Sequence, residues 1–449
     1  MRSVMTFIPL CNYRLGENCA VRSAGCETLE EVAGWVMART TVSKRLVLHV
    51  GGYDPITPHA GAQRRFVREI ARFQLIWSVK ASIDGLRDGA DAMKWSVTTT
   101  GPNWRVETDY HLVRWDDVIE TFSRRPIYWR IPLGIIAFLD FVVSGALLGY
   151  LRTNWHYAVF FLYPFVMFGA SSLVAFLIGL LVLKANGSIA VAIVVVVVLL
   201  VGLLVGPWRW LHLGALFDDW SFSREYVRKG NWILEQRLDR LAAQIVAAAS
   251  GSDADELLII GHSLGAVLAV DLLDRALRLD PAFGMRKIPV TFITIGSSVL
   301  KIGMHRGATR FRAALARVAL SPDIFWGDYQ ARVDIMNFYN TNPMAEMGLP
   351  TGDGPVVRLV EFGRMLEHAM YRRIRLKFYR LHCQFISGND RRAPYDYFML
   401  VCGPVSAKSQ TLAADGAVSM IGEDGALINA PHSCSEPQLT DPTRRSGPR

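Results

Sequence analysis

Residues 257–273 read Leu257-Leu-Ile-Ile-Gly261-His-Ser263-Leu-Gly265-Ala-Val-Leu-Ala-Val-Asp-Leu-Leu273. A four-residue apolar run ends at Gly261, and an apolar pattern of helical spacing follows Gly265 without a break. The pattern predicts a buried strand, a sharp turn with Ser263 at its apex, and a helix. Strand and helix backbones nearly touch in such a turn, so the positions two before and two after the serine tolerate no side chain. Gly261 and Gly265 occupy them, with His262 completing the turn. The hydroxyl is then held above the C-terminal edge of a sheet, at a helix N-terminus whose free N–H groups favour developing negative charge. The pattern predicts a nucleophile elbow, with an ordinary glycine-rich strand-to-helix turn as the alternative.

Outward from the elbow, strands alternate with helices, which predicts an α/β fold: a mostly parallel sheet flanked by helices. Towards the N-terminus, residues 45–50 read as a buried strand running into the breaker cluster Gly51-Gly52-Tyr53-Asp54-Pro55. A helix is predicted over 62–79 and strands over 95–100 and 110–115. The acidic pair Asp116-Asp117 that follows suits a helix N-terminus or the rim of a pocket. An amphipathic helix over 224–249 leads into the elbow, and strands are predicted at 288–295, 333–339 and 398–402. Residues 1–43 form an N-terminal extension with a helical pattern near 29–38 and no signal-peptide pattern. Residues 407–449 turn to Ser, Pro, Asp, Gly and Thr, which predicts a disordered tail.

The chain is 51% hydrophobic with only 20% charged residues, and the excess is localised. Between residues 131 and 206 the only formal charges are Asp140, Arg152 and Lys184. Three apolar stretches, 131–151, 156–183 and 187–206, each have roughly the 20 residues that a ~30 Å hydrocarbon core requires. Residues 131–217 therefore read as a helical transmembrane insertion between two parts of one domain, 44–130 and 218–406. If those parts share a sheet, the number of spans is even. Arg124, Arg125 and Arg130 before the block, and Arg209, Arg224, Arg228 and Lys229 after it, place both flanks in the cytoplasm. Asp140 makes 131–151 the non-spanning stretch, because an unpaired carboxylate in lipid is costly. Residues 207–217, with Trp208 and Trp210, read as an interfacial helix.

The bilayer is the partner this pattern implies. The net charge of +9 is diffuse, which argues against nucleic acid. Six cysteines without a CxxC pair read as incidental thiols in a reducing compartment. No metal-ligand spacing is present, and no cofactor is expected.

Ser263 requires a base, a group that orients the base, and an oxyanion hole. The backbone N–H of Leu264 is one oxyanion donor, and Gly51 or Gly52, after an early strand, supplies the other. These features resemble the α/β-hydrolase superfamily. The Gly-His-Ser-Leu-Gly core with its Ala-Val-Leu-Ala continuation is similar to triacylglycerol lipases and related esterases. His49-Val-Gly-Gly resembles their oxyanion-hole strand end, and Ile293-Thr-Ile-Gly-Ser297 the strand after their elbow helix. The resemblance covers about 44–120 and 220–404; the apolar insertion, absent from most members, resembles that of bacterial membrane-associated hydrolases.

The resemblance implies the chain order nucleophile, acid, histidine. Of the later histidines, His432 lies in the tail and His305 precedes the acid strand; His382 is the first candidate for the base and His368, on a basic helical stretch, the second, with a structural role for both as the alternative. The acid is expected at the end of strand 333–339, just before Pro343, where this chain has Asn342. An amide can hold the imidazole but supplies no charge, and such a replacement can cost about 10⁴ in turnover. Glu346 and Asp353 are the nearby carboxylates that could substitute. Asp334 falls at the wrong, N-terminal end of that strand and reads as structural. The implied protein is a membrane-anchored serine hydrolase of hydrophobic, lipid-like carboxylic esters. A catalytically inactive scaffold or sensor, motivated by Asn342, and a transport component, motivated by Asp140, are the alternatives.

Overall fold

The computed structural model describes residues 41–54, 59–210 and 213–428. Eight strands, β1 (Lys44–Val50), β2 (Lys80–Asp88), β3 (Ala92–Thr100), β4 (Arg105–Val113), β5 (Glu256–His262), β6 (Val290–Ile295), β7 (Ile324–Gln330) and β8 (Val356–Leu359), form one sheet. Its order is β2-β3-β4-β1-β5-β6-β7-β8. The six strands from β4 to β8 run parallel, while β2 and β3 complete an antiparallel meander at one edge. β1 pairs with β5 from Arg45↔Glu256 to Val50↔Gly261, so the segments before and after the insertion are hydrogen-bonded neighbours.

β5 shows why the central strands read as unbroken apolar runs. Leu257 and Ile259 enter the core on one face, Leu258 and Ile260 the core on the other. Both faces are covered, as parallel sheets require. The main flanking and inserted helices are α1 (His59–Trp77), α2 (Asp116–Ser123), α3 (Ile127–Val143), α4 (Ala146–Thr153), α5 (Trp155–Asn186), α6 (Ile189–Trp210), α7 (Leu213–Arg228), α8 (Trp232–Gly251), α9 (Gly265–Leu279), α10 (Val299–Gly303) and α11 (Thr309–Ala319). α1 and the segment after β8 cover one face of the sheet. α2, α8, α9 and α11 cover the other, together with the base of the insertion.

The insertion has two parts of different character. α3 packs along α7 through Gly134, Ala137 and Phe141; a Cβ at position 134 would lie 2.0 Å from Phe217. Arg130 bonds Asp218 through Nε at 2.9 Å, and Asp140 is paired with Arg224 and Arg228 of α7. The unpaired intramembrane carboxylate inferred from the sequence is therefore corrected: Asp140 has two arginine partners beside the α/β unit. α5 starts in the same core, with Tyr157, Ala158, Phe160, Phe161 and Pro164 buried. Beyond Pro164 only Ala175 and Gly179 are buried, and Gly179 faces Val196 of α6. Leu173, Phe176, Leu177 and Leu181 of α5, with Ile193, Val194, Val197 and Val198 of α6, remain exposed. The turn at Gly187 (φ +66°) thus closes an apolar hairpin whose outer surface none of the other described residues covers.

Several sequence expectations are revised. β2, β7 and β8 lie where the sequence shows no strand. Residues 333–339 are loop, not strand, and 398–402 belong to the helix Tyr397–Cys402. The helix expected over 224–249 is two, α7 and α8, broken at Gly230 (φ +74°). α6 extends to Trp210, so 207–217 is not a separate element. Residues 407–428 are packed, with Ala407, Gln410, Thr411 and Leu427 buried, so the tail prediction fails for them. The expectations for 1–40, including Cys11, Cys19 and Cys26, and for 429–449, including His432 and Cys434, lie outside the described residues.

Candidate active site

The elbow forms where β5 turns into α9. Ser263 has φ +54°, a left-handed conformation that is strained for a residue with a side chain. Close packing enforces it. A Cβ at position 261 would lie 2.4 Å from Ala266 Cα, and one at position 265 would lie 2.1 Å from the Val50 carbonyl oxygen. Ser263 N–H donates to the Ile295 carbonyl at 3.0 Å, and Ser298 N–H donates to the Ser263 carbonyl at 3.1 Å, so β6 and its loop clamp the turn.

Gly52 meets Ser263 directly: a Cβ there would lie 2.8 Å from Ser263 Cβ. Gly51 accepts a hydrogen bond from Trp115 Nε1 at 3.0 Å, which fixes the loop after β1. Beneath it, His49 Nδ1 lies 2.5 Å from the Tyr110 hydroxyl and 3.2 Å from that of Tyr397. Leu264 is buried directly after the serine, at the α9 N-cap.

His382 ends the short helix Phe378–His382, and its ring reaches the elbow from the far side of the sheet's carboxyl edge. It stacks on His262 with centroids 4.7 Å apart, and a Cβ on Gly296 (φ +53°) would lie 2.9 Å from its Cε1. Its Nδ1 is 2.6 Å from Asp334 Oδ2, with both side chains buried. Its Nε2 is shielded from solvent and has no protein partner among the described residues.

Asp334, not Asn342, therefore holds the imidazole. Asn342 caps the helix Pro343–Glu346, accepting from Met344 N–H at 2.9 Å and Ala345 N–H at 3.3 Å. Glu346 accepts from the exposed Thr153 hydroxyl, and no contact joins either Glu346 or Asp353 to His382 among those seen. The physical reason is a displaced strand. β7 ends at Gln330, so Asp334 follows its carboxyl end by four residues, at the same sheet edge as the Ser263 turn. Asp334 Oδ1 accepts from Met336 N–H at 3.0 Å, while Asn337 bonds both N–H and C=O of Ala331. These bonds hold the loop open with the second carboxylate oxygen turned to His382.

Ser263, His262 and His382 line a cavity of about 100 Å³ together with Gly51 and Gly52, walled by apolar groups such as Phe66, Trp95 and Ile386. Asp116 also lines it, while Asp117 pairs with Arg237 at the start of α2. Ser263 also borders a smaller cavity of about 40 Å³ on the side of the insertion. Burial, and then the neighbouring His382, hold the His262 imidazole well below its usual pKa, so it is neutral beside His382. Burial pushes the Cys383 thiol up to about 11, so it stays protonated at neutral pH.

Of the residues the sequence singles out, Ser263, His382, Gly51 and Gly52 line one cavity; Asp334, which the sequence reads as structural, bonds His382, and Tyr53 and Arg65 are further residues at the cavity wall. Tyr53 and Arg65 carried no sequence signal. Comparison with protein-family models, curated proteins and solved structures finds no match for this chain. Residue geometry alone therefore supports any assignment.

Proposed function

We propose that this protein is a serine hydrolase acting on hydrophobic carboxylic esters by acyl transfer to water, anchored in a bilayer by the α5–α6 hairpin. The observation that carries the reading is the buried 2.6 Å His382–Asp334 pair beside a strained Ser263 at a nucleophile elbow. Ser263 Oγ attacks the ester carbonyl carbon and its proton passes to His382 Nε2. The Asp334 carboxylate fixes the tautomer through Nδ1–H and stabilises the imidazolium that forms. Backbone N–H groups at Leu264 and at Gly51 or Gly52 take the developing oxyanion. The alkoxide leaves with the proton from His382, and water, activated by the same imidazole, releases the acid.

The exposed hairpin supports the anchor. From Pro164 to Asn186 α5 spans about 33 Å at 1.5 Å per residue, enough to cross a ~30 Å hydrocarbon core. α5 passes the length and hydropathy test for a span, and the apolar residues 189–203 of α6 return beside it. Two crossings bring the chain back to the side of the sheet it left, consistent with β1 and β5 pairing across the insertion. The arginines on both flanks favour a cytoplasmic α/β unit. The pairing of Asp140 with α7 removes the motive for the transport reading, and a carboxylate on His382 removes that for an inactive scaffold.

The direct test is labelling by a fluorophosphonate probe. Wild-type protein takes up the probe and Ser263→Ala does not; a folded wild type that stays unlabelled overturns the hydrolase reading. Topology reporters at residues 120 and 225 should lie on one side and one at 187 on the other.

A further inference from the structure

The smaller cavity beside Ser263 differs in chemistry from the larger one. Tyr157 and Phe160 of α5, Asp219 of α7, Tyr53, and Ser298 and Lys301 from the segment after β6 all line it. Lys301 is buried; its Nζ bonds Asp219 Oδ2 at 2.5 Å and lies 4.2 Å from the Trp220 ring centroid. Two residues lining this cavity each carry a polar atom that is shielded from solvent and has no hydrogen-bond partner among the described residues, Asp219 Oδ1 and the Tyr53 hydroxyl. One is an acceptor and the other a donor-acceptor.

From this arrangement we infer that the smaller cavity binds the alcohol portion of the substrate and selects an alcohol carrying a free hydroxyl, so that the ester is a partly acylated polyol of the monoacylglycerol type. This rests on the serine-hydrolase reading above. Charge balance excludes the other ligand classes. Lys301 and Asp219 cancel one another, and the adjacent Asp218 is paired with Arg130, so no surplus charge remains to hold an anion or a cation. A neutral hydroxyl matches both open groups at once: it donates to Asp219 Oδ1 and accepts from the Tyr53 O–H. Burial, and then Asp218 and Asp219, push the Tyr53 phenol well above its usual pKa, which keeps it a donor. The larger cavity, walled by Phe66, Trp95, Leu112 and Ile386, suits the acyl chain. Ser263 borders both, as a nucleophile must that cuts between an acyl and an alcohol half.

The experiment compares kcat/KM of the full-length protein for a monoacylglycerol and for the ethyl ester of the same acyl chain. Wild type is expected to prefer the glyceryl ester, and Tyr53→Phe to lower that preference about tenfold, the loss of one buried hydrogen bond. Among the described residues the Tyr53 hydroxyl bonds no protein group, so its removal breaks no hydrogen bond with them. Equal kcat/KM for the two esters, or a preference that Tyr53→Phe leaves intact, overturns the polyol subsite while the hydrolase stands. Fluorophosphonate labelling without turnover of either ester overturns it too. No labelling and no turnover bring down the hydrolase reading and this inference together.

Discussion

The elbow at 261–265 and the loop at 331–342 leave the same carboxyl edge two strands apart, and each presents one member of the candidate triad. They are held in different ways. The elbow is fixed by exclusion: glycines let backbone meet backbone, and any Cβ at 261 or 265 would fall within 2.5 Å of main-chain atoms. The loop is fixed by side-chain hydrogen bonds, with Asn337, Asp334 and Gln330 each satisfying nearby backbone groups. Steric exclusion leaves a sequence signature of small residues at set spacing. A hydrogen-bonded loop leaves only a scatter of polar residues that many loops share.

The sharpest way to separate the two carboxyl-edge candidates is to mutate each. Asp334→Asn is expected to lower kcat for an ester about 10⁴-fold, the loss seen when a triad carboxylate becomes an amide. A turnover unchanged by this substitution would break the pairing of the two regions. Gly265→Ala tests exclusion at the elbow: its Cβ would meet the Val50 carbonyl oxygen at 2.1 Å, and a loss of about 3 kcal/mol in a denaturation series is expected.

β7 offers a pH experiment. Burial pushes the Asp328 carboxyl from 3.8 to about 6, against hydrogen bonds from Thr294 and Gln330. Because the folded-state pKa is raised, the stabilisation is full below pH 3.8 and is lost as pH rises through about 6. Asp328→Asn lacks this dependence. Relative to wild type it should gain up to about 3 kcal/mol between pH 4 and pH 8, read from melting curves across that range. A parallel pH profile in the two proteins would refute the shift. The smallest effect is expected for Asn342→Ala, about 1 kcal/mol from the lost N-cap, with kcat within a few-fold of wild type. A fall comparable to that of Asp334→Asn would restore Asn342 to the site.

The same contrast explains which readings survived. β7 was overlooked because Gly327 and Asp328 interrupt its apolar run, Ile-Phe-Trp-Gly-Asp-Tyr-Gln. Gly327 is there because Thr411 and Ile293 leave a Cβ no room, and Asp328 is buried with its own partners. Residues 333–339 instead alternate as a strand does, yet Val333 is 41% exposed while Asp334 is buried. With the strand displaced, the acid fell on Asn342. In the insertion, hydropathy located the apolar block, but only packing separated α3, which lies on α7, from the uncovered α5–α6 hairpin.

Sequence by itself determined the sharp strand-to-helix turn at Ser263, the alternation of strands and helices and the apolar block, since each depends on local sterics or on the periodicity of burial. Tertiary structure decided that β1 and β5 are neighbours, that Asp334 reaches His382, and that Asp140 is neutralised by α7. Those contacts join residues 48 to 211 positions apart. A pairing over such a distance is set by how the whole sheet and its helices pack, and no local pattern of residues encodes it.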